Sequence, residues 1–174
     1  RVGYAGGQMA EPTYHNIGDH TETVQIDYDP NLISYDQLLD VFWNSHKPTR
    51  RSMPGQYMKA VFYHSEQQRE QAIASKVALE DNIGSIVRTE IVPIRSFTMA
   101  EDYHQKFTLK GHKDLKNEIV RIYPRHQDLV DSTAAARLNG YIGGYGSRDQ
   151  LLKEINSLGL SAEAEQVLTD MIRK

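Results

Sequence analysis

The sequence contains no cysteine. That removes disulfides, thiolate metal sites and thiol chemistry from these residues, and it fits a cytoplasmic protein. No apolar run approaches the roughly 18 to 20 residues that span a bilayer, and no signal-peptide pattern is visible. Long runs of one charge are missing too. The formal net charge is −3 over 174 residues, which argues against a nucleic-acid or anionic-membrane role. There is no internal repeat and no low-complexity tract. There is also no P-loop and no full dinucleotide fingerprint, so the Gly6–Gly7 and Gly143–Gly144 pairs read as turns. Seven histidines are present, but none form an H-x-x-x-H or H-E-x-x-H pair, and thiolates are absent. Neither a metal nor another cofactor is expected, although His20 and Glu22, two apart on one strand, could reach one ion.

What is present is an ordinary globular balance, with 39% hydrophobic and 25% charged residues. Val2–Tyr4 reads as a strand running into Ala5-Gly6-Gly7, and residues 8–19 read as a loop. A strand over His20–Tyr28 follows, stopped by Asp29-Pro30. Ser34 with Gln37 has capping-box spacing and opens a helix striped by Tyr35, Leu38, Leu39 and Phe42. Met58–Tyr63 is a strand. Ser65 with Gln68 starts a long helix that ends near Gly84. Ile86–Ile94 is a further strand, with Pro93 at a sheet edge. This alternation predicts a sheet covered by helices. From about Lys110 only helices are expected: Asp114–Tyr123 stopped by Pro124, Ser132–Asn139 ended by Gly140, one opened by Ser147 with Gln150, and Ser161–Arg173. Gly140–Gly146 reads as a flexible turn.

One carboxylate faces an unexpected way. Side chains alternate along His20–Tyr28, with Val24, Ile26 and Tyr28 on the apolar face. Glu22 shares their parity, so it is expected to point into the core or into a cleft lined by that face. A carboxylate drawn out of water keeps its proton to higher pH, which makes Glu22 a candidate general acid. The alternative is a partly exposed strand-end glutamate paired with Lys or Arg. Tyr14 and Tyr57 lie in or beside Gly/Pro-containing loops that flank strands. A phenol there can hold a polar substrate oxygen, or simply pack, as most of the ten tyrosines must. Asp102, Tyr103 and His104 could line the same cleft, or belong to an acidic helix start.

Taken in order, RVGYAGG (1–7), EPTYHNIGDHTETVQIDYDP (11–30), ISYDQLLDVFWNSHKPT (33–49), GQYMKAVFYHSEQQ (55–68), TEI (89–91) and AEDYHQKF (100–107) resemble the A-type peptide methionine sulfoxide reductases. The likeness covers most of residues 1–107. It implies reduction of the S epimer of methionine sulfoxide, in peptides and as the free amino acid, in the repair of proteins under oxidative stress. It places the family's acid on Glu22 and its two sulfoxide-binding tyrosines on Tyr14 and Tyr57. The family nucleophile is a cysteine, sometimes a selenocysteine, in a G-C-F-W-G motif just before the strand equivalent to Val2–Tyr4. Here it is expected upstream of Arg1, which itself reads like the interior of a strand, so the chain is taken as N-terminally truncated. A thiol reductant such as thioredoxin, or an upstream cysteine, is then needed to recycle the oxidised nucleophile. The family often carries Gly-Asn-Asp before the Gly-Thr-Gln-Tyr segment. This chain has Arg50 to Tyr57 without that aspartate, near Ser52.

The fold expected is α+β: a two-layer α/β sandwich with a ferredoxin-like mixed sheet covered by helices, followed by a C-terminal helical extension. Residues 1–110 are read as the reductase-like domain lacking its first strand, and 111–174 as the extension. The 174 residues by themselves are expected to be inactive. Two other readings stand beside this one. The chain is either a catalytically inactive relative that binds Met-containing peptides, or an interaction protein whose helical tail is the working part.

Overall fold

The computed structural model describes every residue except Ser52, Pro54, Arg173 and Lys174. The fold is mixed α/β, and the chain divides into two compact units, Val2–Ala100 and Glu101–Lys174 with Arg1.

In the first unit, β1 (Val2–Ala5) is the centre of an antiparallel sheet ordered β2-β1-β5, with β2 at Thr21–Val24 and β5 at Phe97–Met99. In place of the one mixed sheet expected, the parallel pairing forms a second sheet, β3 (Ala60–Tyr63) with β4 (Glu90–Pro93), among the described residues. The crossover between them is α2 (Glu66–Ile83), as a parallel pair requires. Helix α1 (Tyr35–Asn44) packs against α2. Leu39 and Trp43, four residues apart on one face of α1, are buried with Val61, Ala72 and Val87. Trp43 Nε1 donates to Ser75 Oγ at 3.0 Å, which satisfies the one polar atom the ring carries into that core.

The caps read from the sequence are present. Ser34 and Gln37 form a reciprocal capping box on α1. Ser65 accepts the N–H of Gln68, and Gly84 ends α2 in the left-handed conformation at φ 62°.

Three strands are shorter than their sequence pattern, and the one expected over Met58–Tyr63 covers only Ala60–Tyr63. The strand expected over His20–Tyr28 covers only Thr21–Val24, because Val2↔Val24 is the last pair that the four-residue β1 can make. The strand expected over Ile86–Ile94 covers only Glu90–Pro93. Upstream of it, the Val87 N–H goes to Glu80 Oε1 at 2.7 Å and the Arg88 N–H to Pro48 O at 2.8 Å, so these donors are not free for a ladder. Pro93 closes β4 opposite Tyr63.

The second unit is helical: α3 (Phe107–Lys110), α4 (Lys113–Ile122), α5 (His126–Asp131), α6 (Thr133–Ile142), α7 (Arg148–Glu154) running into a 3-10 turn (Ile155–Leu158), and α8 (Ala162–Met171). Its core gathers Leu109, Leu115, Ile119, Leu138, Leu151 and Leu168, all fully buried. Ser132, Ser147 and Ser161 cap α6, α7 and α8. Helix α6 runs through Gly140, where an end was expected, and stops at Gly143. A helical glycine costs only about 1 kcal/mol relative to alanine, and buried Leu138 and Tyr141 hold the turns on either side of it.

Candidate active site

Gly6 and Gly7 leave β1 and enter a loop whose two ends are tied together. The Asp19 carboxylate accepts the backbone N–H groups of Gln8, at 2.9 and 3.0 Å, and Met9, at 3.2 Å. These bonds hold the Asp19 carboxyl below the usual carboxylate range, the Gln8 bond first and the Met9 bond next. His20 is 1% exposed. The Gly7 N–H donates to its Nδ1 at 3.3 Å, and its Nε2 stands 2.9 Å from the Met9 carbonyl. An amide N–H can only donate and a carbonyl can only accept, so the ring is held as the Nε2–H tautomer. Both nitrogens are thereby engaged, which removes His20 from any ion site shared with Glu22. Gly7 is required by this closure: a Cβ there would stand 2.5 Å from Asp19 Oδ1 and from His20 Cδ2. Thr13 and Asn16 exchange backbone hydrogen bonds of 3.1 Å farther along the loop. This turn carries Tyr14, which is 38% exposed, with its ring edge-on to His15.

The loop delivers the chain into β2. Thr21 is buried and donates through Oγ1 to Gly55 O at 2.9 Å. The Glu22 N–H donates to Gln56 O at 3.0 Å, and Gln56 Nε2 donates to Glu22 Oε1 at 2.7 Å. The Met58 N–H closes back on Gly55 O at 3.0 Å, so Gly55–Met58 is a tight turn docked along β2. Tyr57 lies in that turn, 72% exposed. The structure thus joins Glu22 to the segment that carries Tyr57, while Tyr14 is set by the separate His20-anchored loop.

Glu22 does not point into a core. It is exposed, and its expected face-mates Val24 and Ile26 are 63% and 54% exposed. The parity expectation is reversed: β2 ends at Val24, before Ile26, and its buried side carries Thr21, while Glu22 and Val24 are on the exposed one. The partner of Glu22 is also not the Lys or Arg of the alternative reading but a neutral carboxamide. Ser52, near the expected departure from the family pattern, lies outside the described residues, as does Pro54. Asp102 and His104 belong to the helical unit, where Asp102 pairs with His126 at 3.1 Å. Among the described residues no group of three or more His, Asp or Glu could hold a metal ion, and no helix is long and apolar enough to cross a membrane.

Residues 1–138 match the family described as peptide methionine sulfoxide reductase. The chain belongs to this family. A second match, to the helical domain of selenoprotein methionine sulfoxide reductase A, covers residues 125–173. Among peptide methionine sulfoxide reductases, the chain is 42% identical over 171 residues to one from Drosophila melanogaster, an alignment covering 95% of this chain and 67% of that protein. It is also 42% identical over 146 residues to peptide methionine sulfoxide reductase A5 of Arabidopsis thaliana, covering 80% of this chain and 57% of the relative. The crystal structure of reduced Mxr1 from Saccharomyces cerevisiae matches with a TM-score of 0.58 at 29% identity, covering 65% of this chain and 70% of that one. Much of each relative therefore lies outside the aligned length.

Sequence reasoning missed Gln56. Its signal was its place in Gly55-Gln56-Tyr57, directly before a predicted binding residue, but nothing local says that its side chain turns back onto a strand more than thirty residues earlier. Asp19 was also missed, and the anchoring use of His20 was hidden behind its value as a metal ligand.

Proposed function

We propose that this chain is the larger part of an enzyme that reduces the S epimer of methionine sulfoxide in peptides and as the free amino acid. Glu22 delivers a proton to the sulfoxide oxygen, while Tyr14 and Tyr57 hold that oxygen. A thiolate or selenolate attacks the sulfur. Oxygen passes with the proton to the nucleophile as a sulfenic or selenenic acid, and the thioether is released. A thiol reductant such as thioredoxin then restores the nucleophile. The 174 residues contain no cysteine, so the nucleophile is not among them and the chain by itself does not turn over. Selenocysteine is favoured as the nucleophile by the selenoprotein helical domain matched at residues 125–173.

The observation that carries this reading is the docking of the Gly55–Met58 turn on Thr21–Glu22, which couples the proposed acid to the segment of a proposed oxygen-binding tyrosine. We read residues 1–110 as the reductase-like domain and 111–174 as its helical extension, in a cytoplasmic protein. The parallel β3-α2-β4 crossover beside an antiparallel β1 ladder supports a ferredoxin-like two-layer arrangement for the first of these.

The test is epimer-resolved turnover by the protein carrying its nucleophile segment, with dithiothreitol as reductant. The S epimer of a methionine sulfoxide peptide is expected to be consumed and the R epimer left. Consumption of the R epimer alone, or binding of the peptide without turnover, would overturn the reading. The latter result would make the chain a binding relative.

A further inference from the structure

We infer that Gln56 is a positioning residue that fixes which oxygen of Glu22 carries the transferred proton. The inference rests on the reading of Glu22 as the acid.

Three contacts between the same two segments carry it. The Glu22 N–H donates to the Gln56 carbonyl at 3.0 Å, Thr21 Oγ1 donates to the Gly55 carbonyl at 2.9 Å, and Gln56 Nε2 donates to Glu22 Oε1 at 2.7 Å. The first two fix the backbone of Gln56 against β2. The side-chain bond is then made from a pre-set base, so little rotamer freedom remains to be lost in forming it. An amide Nε2 carries only donors. The oxygen it faces must accept, so in the protonated carboxyl Oε1 is the carbonyl oxygen and Oε2 bears the hydrogen. A carboxyl free to rotate would present its proton in several directions; this one presents it from one oxygen only.

The contact does not serve the fold alone. The turn is already held by the two backbone carbonyls and by the Met58 N–H on Gly55 O at 3.0 Å, none of which uses the Gln56 side chain. Replacing that side chain therefore leaves the docking in place, and Tyr57 with it.

The experiment compares wild type, Gln56→Met, Glu22→Gln and the double variant, all in the protein carrying its nucleophile segment, with single-turnover rates and KM measured across pH. Gln56→Met keeps the length of the side chain and deletes its donor. It is expected to lower the single-turnover rate about tenfold, the scale of one lost hydrogen bond, with KM within about twofold. Because Gln56 acts through Glu22, the double variant should be no slower than Glu22→Gln alone. Gln56→Glu offers a donor only when protonated, so its rate should recover towards wild type at low pH.

A tenfold loss that persists in the Glu22→Gln background would overturn the inference, because Gln56 would then act by another route. So would a Gln56→Met rate equal to wild type beside a slow Glu22→Gln. An unchanged Glu22→Gln rate would instead overturn the reading of Glu22 on which the inference rests.

Discussion

The N–H of Gly7 donates to Nδ1 of His20 at 3.3 Å, across thirteen residues of chain. This bond and its companions from Asp19 close the loop that carries Tyr14, and they leave no room for a side chain at position 7. Gly7→Ala is expected to destabilise the protein by about 1–3 kcal/mol, the usual scale of an overpacked site. Urea denaturation midpoints for the wild type and the variant check it. An unchanged midpoint would show that the loop relaxes without loss.

Trp43 is the only tryptophan in the chain, and its indole N–H bonds Ser75 Oγ at 3.0 Å. Tryptophan fluorescence therefore reports on the core where α1 meets α2, Val61 and Val87. Ser75→Ala leaves a half-buried N–H without its acceptor and is expected to cost about 1–2 kcal/mol. The fluorescence-detected unfolding transition should move to lower denaturant with its slope unchanged.

Tyr141 donates to Glu154 Oε1 at 2.5 Å, while Arg137 Nη1 holds Oε2 of the same carboxylate at 2.6 Å. Burial first, then the hydrogen bond to Glu154, pushes the Tyr141 phenol up to about 12. A phenol raised in the folded state stabilises it fully below the unfolded value of about 10, and that contribution is lost as pH climbs towards about 12. Ultraviolet titration of the folded protein should show Tyr141 ionising late, with Tyr35, also raised by burial, above the free value too. Glu154→Gln removes the carboxylate but not the burial, so the Tyr141 step should move downward without reaching the value of a free tyrosine.

How much was legible in the sequence follows from how local each feature is. The Ser34–Gln37 box and the Ser65 cap are contacts between residues three apart, and they were read directly. The strand parity that placed Glu22, Val24 and Ile26 on an inward face did not hold: β2 ends at Val24, and the buried side is the one that carries Thr21. What parity cannot say is whether anything covers the face it defines, and here both Val24 and Ile26 are exposed. The ends of β2 and β4 were misread because they depend on the length of a partner strand and on where distant donors go, as with Val87 bonding Glu80. Helix α5 and strand β5 were missed. The first is six residues long and the second three, too short for a period to show. Gln56 was unreadable for a related reason: its role exists only once residues 55–58 fold back on β2.

Glu22→Gln in the protein carrying its nucleophile segment is the most direct test of the account. Single-turnover reduction of the S epimer of a methionine sulfoxide peptide should slow by roughly 10²–10⁴, the range for loss of a general acid, with the oxidised nucleophile still recycled normally by dithiothreitol. A variant that reduces the sulfoxide as fast as wild type would contradict the account and move the proton donor away from Glu22.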